Sequence, residues 1–179
     1  HPLFRGALRN AVEGIDQPVE ISEASDFDSL KQNLNDSGAP DLVLLDLNMP
    51  GVSGFSGLIH LRGDYSNVPV IMVSASDDVG TVRRALDFGA SGFISKSSSL
   101  ESIREGILAV LEGEIWTPPN IDLDEADDPE TAELMADLAS LTPQQTRVLA
   151  MISDGLLNKQ IAYELDVSEA TVKAHVSAV

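Results

Sequence analysis

The chain has 179 residues, 43% of them apolar, and eleven basic against twenty-nine acidic side chains leave a formal net charge of −18. That size accommodates one ordinary domain plus a smaller one, with enough apolar residues for buried cores, and the acidity argues against nonspecific nucleic-acid binding by the chain as a whole. No apolar run approaches the about 20 residues needed to cross a bilayer, nothing at the start resembles a signal segment, and the lack of cysteine excludes disulfides and thiolate metal sites, which fits a reducing cytoplasm.

Up to Trp116, short apolar runs alternate with amphipathic segments of helix length, the βαβ rhythm of a parallel sheet covered on both faces. A helix is expected at Pro2 to Val12, then a strand at Pro18 to Ser22, a helix at Asp26 to Asn35 and a strand at Asp41 to Asp46. Further helices are expected at Phe55 to Arg62, Asp78 to Phe88 and Leu100 to Glu112, with strands at Pro69 to Ser74 and Gly92 to Ser95. In the last helix Leu100, Ile103, Ile107, Leu108 and Leu111 recur at helical spacing, which predicts one buried face. A doubly wound sheet that opens on a helix lacks a central strand, so the chain reads as starting late.

Residues 117–130 break the rhythm: Pro118, Pro119 and a run of acids without a basic residue predict an extended, self-repelling connector. A calcium loop is the functional alternative, but the spacing of Asp122, Asp124 and Asp127 misses the alternating ligand positions, and the turn glycine is absent. From residue 131 to 179 the pattern is all helical. A short helix is expected at Thr131 to Ala139, then one opened by a capping box at Thr142, Pro143 and Gln145 and closed near Asp154 with Gly155 as its cap. A second begins at Asn158 and carries Ile161, Ala162 and Leu165 on one face. After a tight connection at Asp166 and Val167, Ser168 caps a third, with Val172, His175 and Val176 spaced for burial. Two short helices joined by so few residues predict a helix-turn-helix.

The charge divides unevenly along this frame. Residues 1–116 hold 8 basic and 17 acidic side chains, residues 117–140 hold 0 and 8, and residues 141–179 hold 3 and 4. The helical module is therefore near neutral, while the rest repels phosphate.

The sequence LVLLDLNMPG ends a buried strand on a carboxylate, Asp46, where open α/β folds keep their chemistry. Ser74 and Ser76 follow VIMV, and Lys96 follows GFIS, at the same ends of neighbouring strands. A strand-terminal lysine is ordinarily a solvated cap and a lone serine a turn residue. A carboxylate, a hydroxyl and an ammonium gathered at one rim can instead hold a phosphoryl group.

The segments DLVLLDLNMPGVSG, PVIMVSAS and FGASGFISKS resemble the three motifs of bacterial receiver domains, and LTPQQTRVLAMISDGLLNKQIAYELDVSEATVKAHV resembles the LuxR-type helix-turn-helix. Their order resembles the NarL/FixJ family of two-component response regulators, nearly end to end. The resemblance implies an α/β doubly wound receiver of the CheY/flavodoxin type with its first strand missing, followed by an all-α DNA-binding domain. It implies a transcriptional regulator of a phosphorelay, not an enzyme. Asp46 matches the aspartate that takes a phosphoryl group from a sensor histidine kinase, and the Asn48 carbonyl, with Asp46, a Mg²⁺ ligand. Ser74 matches the switch hydroxyl, Lys96 the lysine that pairs with the phosphoryl oxygens, and Phe93 the aromatic that swings inward. Asn158, Lys159 and Thr171 match phosphate contacts, and Lys173, Ala174 and Ser177 the base-facing positions on promoter DNA. A homodimer is implied, and a receiver that occludes the DNA-binding module until Asp46 is charged.

Three features depart from the family pattern. Ser97 follows Lys96 where many receivers have proline, and Ser177 stands where a lysine is common. The stretch His1 to Arg5 usually follows directly on the acidic pair that helps to hold Mg²⁺, and here it opens the chain. Weak Mg²⁺ binding, slow phosphorylation and low DNA affinity are expected of these 179 residues, with both activities full in an intact parent. Two other functions fit parts of the pattern. An atypical receiver would act by protein contact alone, and an aspartyl-nucleophile phosphatase would need a second aspartate where Asn48 stands.

Overall fold

The computed structural model describes residues 2–15, 18–123, 133, 136–138 and 140–178. Its α/β part runs α1 (Pro2–Glu13), α2 (Phe27–Ser37), β1 (Val43–Asp46), α3 (Ser56–Asp64), β2 (Val70–Ser74), α4 (Val79–Asp87), β3 (Gly92–Ser95) and α5 (Leu100–Leu111). The strands form one parallel sheet in the order β1-β2-β3, with Asp46 opposite Val73 and Ser74 opposite Ser95.

Strand side chains alternate between the faces, so the sheet supports two cores. On one face Val43, Leu45, Val70, Met72 and Phe93 meet α2, α3 and α4 through Phe27, Leu34, Leu58, Leu61, Val82 and Ala85. On the other, Ile71, Val73 and Ile94 meet Ala11 of α1 and Ile103, Ile107 and Val110 of α5. Every residue of β2 is buried, as its run of apolar β-formers requires of a middle strand.

Two expectations fail here. Pro18 to Ser22 is not a strand. The outer edge of β1 carries no paired strand among the described residues, and five residues without a ladder leave their backbone to water, with Val19 46% exposed. In α5, Leu100 and Leu111, the first and last residues of the helix, are exposed; the buried face is Ile103, Gly106, Ile107 and Val110.

After α5 the chain turns back along β3. Phe93 N–H donates to the Trp116 carbonyl at 2.9 Å, and the Trp116 indole lies over Gly106, where a Cβ would come within 2.7 Å of it. Pro118 is buried, and Ile121 and Leu123 pack against the α2–α3–α4 core, so the first residues of the acidic segment lie on the receiver rather than running free. The helix expected at Thr131 to Ala139 lies mostly outside the described residues; Glu133 and residues 136–138 are helical.

The carboxyl-terminal module comprises α6 (Pro143–Ser153), α7 (Asn158–Glu164) and α8 (Glu169–Ala178). Its punctuation follows the sequence closely. Thr142 and Gln145 close a capping box at 2.8 and 3.3 Å, Gly155 turns with φ +83°, and Ser168 Oγ accepts from Thr171 N–H at 3.1 Å. Between α7 and α8, Asp166 adopts φ +51°, a left-handed turn that aspartate tolerates better than most residues. Val148, Ile161, Ala162 and Val172 make a small core of their own; of the other residues expected on its face, His175 is half-buried and Val176 is 36% exposed.

Candidate functional site

The parallel register brings the ends of all three strands to one rim. Asp46 ends β1, Ser74 ends β2, and Lys96 follows the last residue of β3, its N–H donating to the Ser74 carbonyl at 2.8 Å. Lys96 Nζ reaches back across the rim to Asp46 Oδ2 at 2.6 Å, with the two side chains 19% and 25% exposed. A charge-assisted bond of that length is strong, and partial burial limits its screening by salt. The other carboxylate oxygen, Oδ1, accepts the Asn48 N–H at 3.0 Å, which folds the turn after β1 over Asp46. Lys96 also stands 5.9 Å from the Phe4 ring centroid, a contact of α1 with the rim that the sequence did not reveal.

The remaining rim residues are unlike one another. Ser74 is 1% exposed, and its Oγ accepts the Ser76 N–H at 3.1 Å, so Ser76 contributes its backbone while its side chain is exposed. Ser97 closes a serine pair with Ser95 at 2.8 Å, Oγ to Oγ. Phe93 lies fully buried in the α2–α3–α4 core, in the setting of a core aromatic.

In the module, Lys159, Thr171, Lys173, Ala174 and Ser177 are exposed and Asn158 is half-buried. Lys159 and Asn158 open α7, and the other four line α8, whose buried side is held by Val172. This arrangement gives α8 a polar face with one ammonium group and small side chains, and places a second ammonium at the start of α7, suited to approach a groove closely. The receiver does not cover it: the module meets α3 of the receiver through α6, and Lys173, Ala174 and Ser177 of α8 remain exposed. The expected occlusion of these residues is therefore not the arrangement found.

Residues 1–108 match the family "Response regulator receiver domain", and residues 139–179 match "Bacterial regulatory proteins, luxR family". A glycerol metabolism activator of Pseudomonas putida is 41% identical over 185 residues, covering 100% of this chain and 84% of the relative. The nitrate/nitrite response regulator protein NarL of Escherichia coli K12 is 33% identical over 184 residues, covering 98% and 82%. The chain belongs to the NarL/FixJ group of LuxR-type response regulators. The receiver domain of a NarL from Mycobacterium tuberculosis superposes with a TM-score of 0.57 at 31% identity, covering 64% of this chain and 91% of that one. The RcsB response regulator of Salmonella typhimurium shares the fold over 99% of this chain and 85% of its own, with a TM-score of 0.61 at 21% identity.

The regulator is thus a two-component response regulator with a receiver and a DNA-binding domain, a transcription regulator rather than a classical enzyme. Receiver domains generally bind Mg²⁺. The described residues alone do not fit that ion. They offer the Asp46 carboxylate, engaged by Lys96 and Asn48, and no group of three or more His, Asp or Glu side chains among them could hold a metal. An octahedral ion needs further well-placed oxygens. No helix among the described residues is long and apolar enough to cross a membrane.

Proposed function

We propose that Asp46 is the phosphoryl acceptor and that its modification by a sensor histidine kinase switches binding of promoter DNA by the carboxyl-terminal module. The observation that carries this reading is the Lys96–Asp46 contact of 2.6 Å at the rim where β1, β2 and β3 end. A carboxylate oxygen attacks the phosphorus of a phosphohistidine, the P–N bond breaks as the O–P bond forms, and the imidazole leaves. The acyl phosphate carries nearly two negative charges where the carboxylate carried one, Lys96 neutralises part of them, and Ser74 has a hydroxyl to donate once it turns from Ser76. Phe93 packs behind Ser74's strand and takes the space that the turn of that serine vacates. Mg²⁺ belongs to this reading with Asp46 and the Asn48 carbonyl among its ligands, completed by oxygens other than those described.

On the DNA side, Asn158, Lys159 and Thr171 serve as phosphate contacts and Lys173, Ala174 and Ser177 as base readers. A homodimer on DNA fits this assignment, since an RcsB relative is described as two dimers bound to two parallel DNAs. The receiver is taken as residues 1–116, the connector as 117–130 and the DNA-binding domain as 131–179, acting in the bacterial cytoplasm. The test is acetyl phosphate with Mg²⁺, read on a phosphate-affinity gel. A shifted band that disappears in Asp46→Asn is expected; labelling that survives the substitution overturns the assignment.

A further inference from the structure

The contact between α3 and α6 includes polar side chains at matched helical spacing. Ser56, His60 and Asp64 stand one turn apart along α3, so they share a face, and Arg147 and Asp154 stand two turns apart along α6 and its cap. Ser56 Oγ donates to Asp154 Oδ1 at 2.8 Å, and His60 Nε2 meets Asp154 Oδ2 at 2.8 Å, so one carboxylate is held at both oxygens by two residues of the receiver. At the other end Arg147 Nε stands 2.9 Å from Asp64 Oδ1, an ion pair rather than an aligned hydrogen bond. Gly63 lets the helices approach here, since a Cβ would meet Arg147 Cγ at 2.9 Å.

Asp154 is the telling residue. A carboxylate at a helix C-terminus opposes the helix dipole, so the module's own stability does not account for it. Its two partners lie on the receiver, and they do. The apolar cores of the two domains share no residue, and these polar groups join the domains across the contact. Interfaces of that kind separate readily.

We propose that Ser56, His60 and Asp64 with Arg147 and Asp154 form a reversible interdomain latch, which fixes the DNA-binding module on α3 while leaving α8 open. Ser56 also accepts the Ser53 N–H at 3.0 Å, tying the latch to the loop that leads from Asp46 into α3. The proposal goes beyond the phosphoryl-acceptor reading and holds without it, because its test contains no phosphodonor.

The cysteine-free chain allows donor and acceptor dyes at Asn67→Cys and Glu164→Cys, both exposed and on opposite domains. Asp64→Arg and Arg147→Asp should each lower energy transfer, and the two together should restore it. Ser56→Ala with Asp154→Ala, which leaves every apolar core residue in place, should lower it without moving a cation. Circular dichroism and Trp116 emission report that both domains stay folded. Transfer unchanged in Ser56→Ala/Asp154→Ala, or not recovered by the charge swap in folded protein, overturns the latch.

Discussion

Replacing Ile161 by alanine should unfold the DNA-binding module while the receiver stays native. Ile161 is fully buried in a core of only four residues, with Met151, Leu156, Leu165 and Val167 packed around it. The substitution deletes three carbons, about 2.4 kcal/mol of lost transfer energy at roughly 0.8 kcal/mol each. The cavity adds to that, within the range of about 2–5 kcal/mol seen for such truncations. The matched module spans residues 139–179, and a unit of roughly 40 residues at about 0.05–0.15 kcal/mol each has about 2–6 kcal/mol to lose. The two numbers are comparable, so half or more of the modules should be unfolded in buffer. Neither receiver core contains Ile161, and the single tryptophan, Trp116, packs against the receiver helix α5. Urea titration followed by far-ultraviolet circular dichroism and by Trp116 emission separates the two domains. Helix signal should fall early in Ile161→Ala, with the Trp116 transition near its wild-type midpoint. Coincident transitions by both probes, or a loss under about 1 kcal/mol, would refute the reasoning that the module stands on its own core.

Four further outcomes follow from named contacts. Lys96→Met should slow Asp46 labelling by acetyl phosphate roughly 100-fold, since it removes the cation 2.6 Å from Asp46; an unchanged rate on the same gel removes Lys96 from the chemistry. Asp78 caps α4, and its carboxyl is held below the usual range by the Thr81 hydroxyl and then the Thr81 N–H. A depressed folded pKa gives stability that is complete above about pH 3.9 and lost as pH falls through the folded value. Asp78→Ala should therefore cost about 1 kcal/mol at neutral pH and progressively less in acid, read by denaturant midpoints across pH. Gly106→Ala gains helix propensity of up to about 1 kcal/mol but drives a methyl into the Trp116 indole at 2.7 Å, so a net loss and shifted Trp116 emission are expected. DNA affinity should fall only gently with salt, with a logarithmic slope of about −1 per module from Lys159, the cation assigned to phosphate; a slope beyond about −3 in fluorescence anisotropy would mean cations elsewhere bind phosphate.

How much of this was legible depended on periodicity and punctuation. Gly92–Ser95 forms the strand expected of it, and β1 and β2 differ only at their starts, because apolar runs ended by turn residues have one stable fate in a covered sheet. The caps at Asp26, Asp78, Ser99, Thr142 and Ser168 act as local chemistry dictates. Pro18 to Ser22 failed because strand formation is settled by a neighbour, and no pattern within five residues reports whether that neighbour is paired. At the rim, register was enough to bring Asp46, Ser74 and Lys96 together, whereas the approach of Phe4 depends on how α1 lies across the sheet.

The interdomain contacts were hidden for a different reason. Ser56, His60 and Asp64 repeat every fourth residue on a helix that is otherwise buried on nearly every side, and an apolar pattern assigns such residues to solvent by default. Yet Ser56 is 3% exposed, and burying a hydroxyl without a partner costs more than leaving it in water. The partner is an aspartate almost a hundred residues away, at a helix end where its charge is locally unfavourable. Each half is an anomaly alone: a polar stripe on a core helix, and an acid at the wrong helix terminus. Paired, each satisfies the other, and two such anomalies on separate domains identify the docking faces before any apolar contact between them is considered.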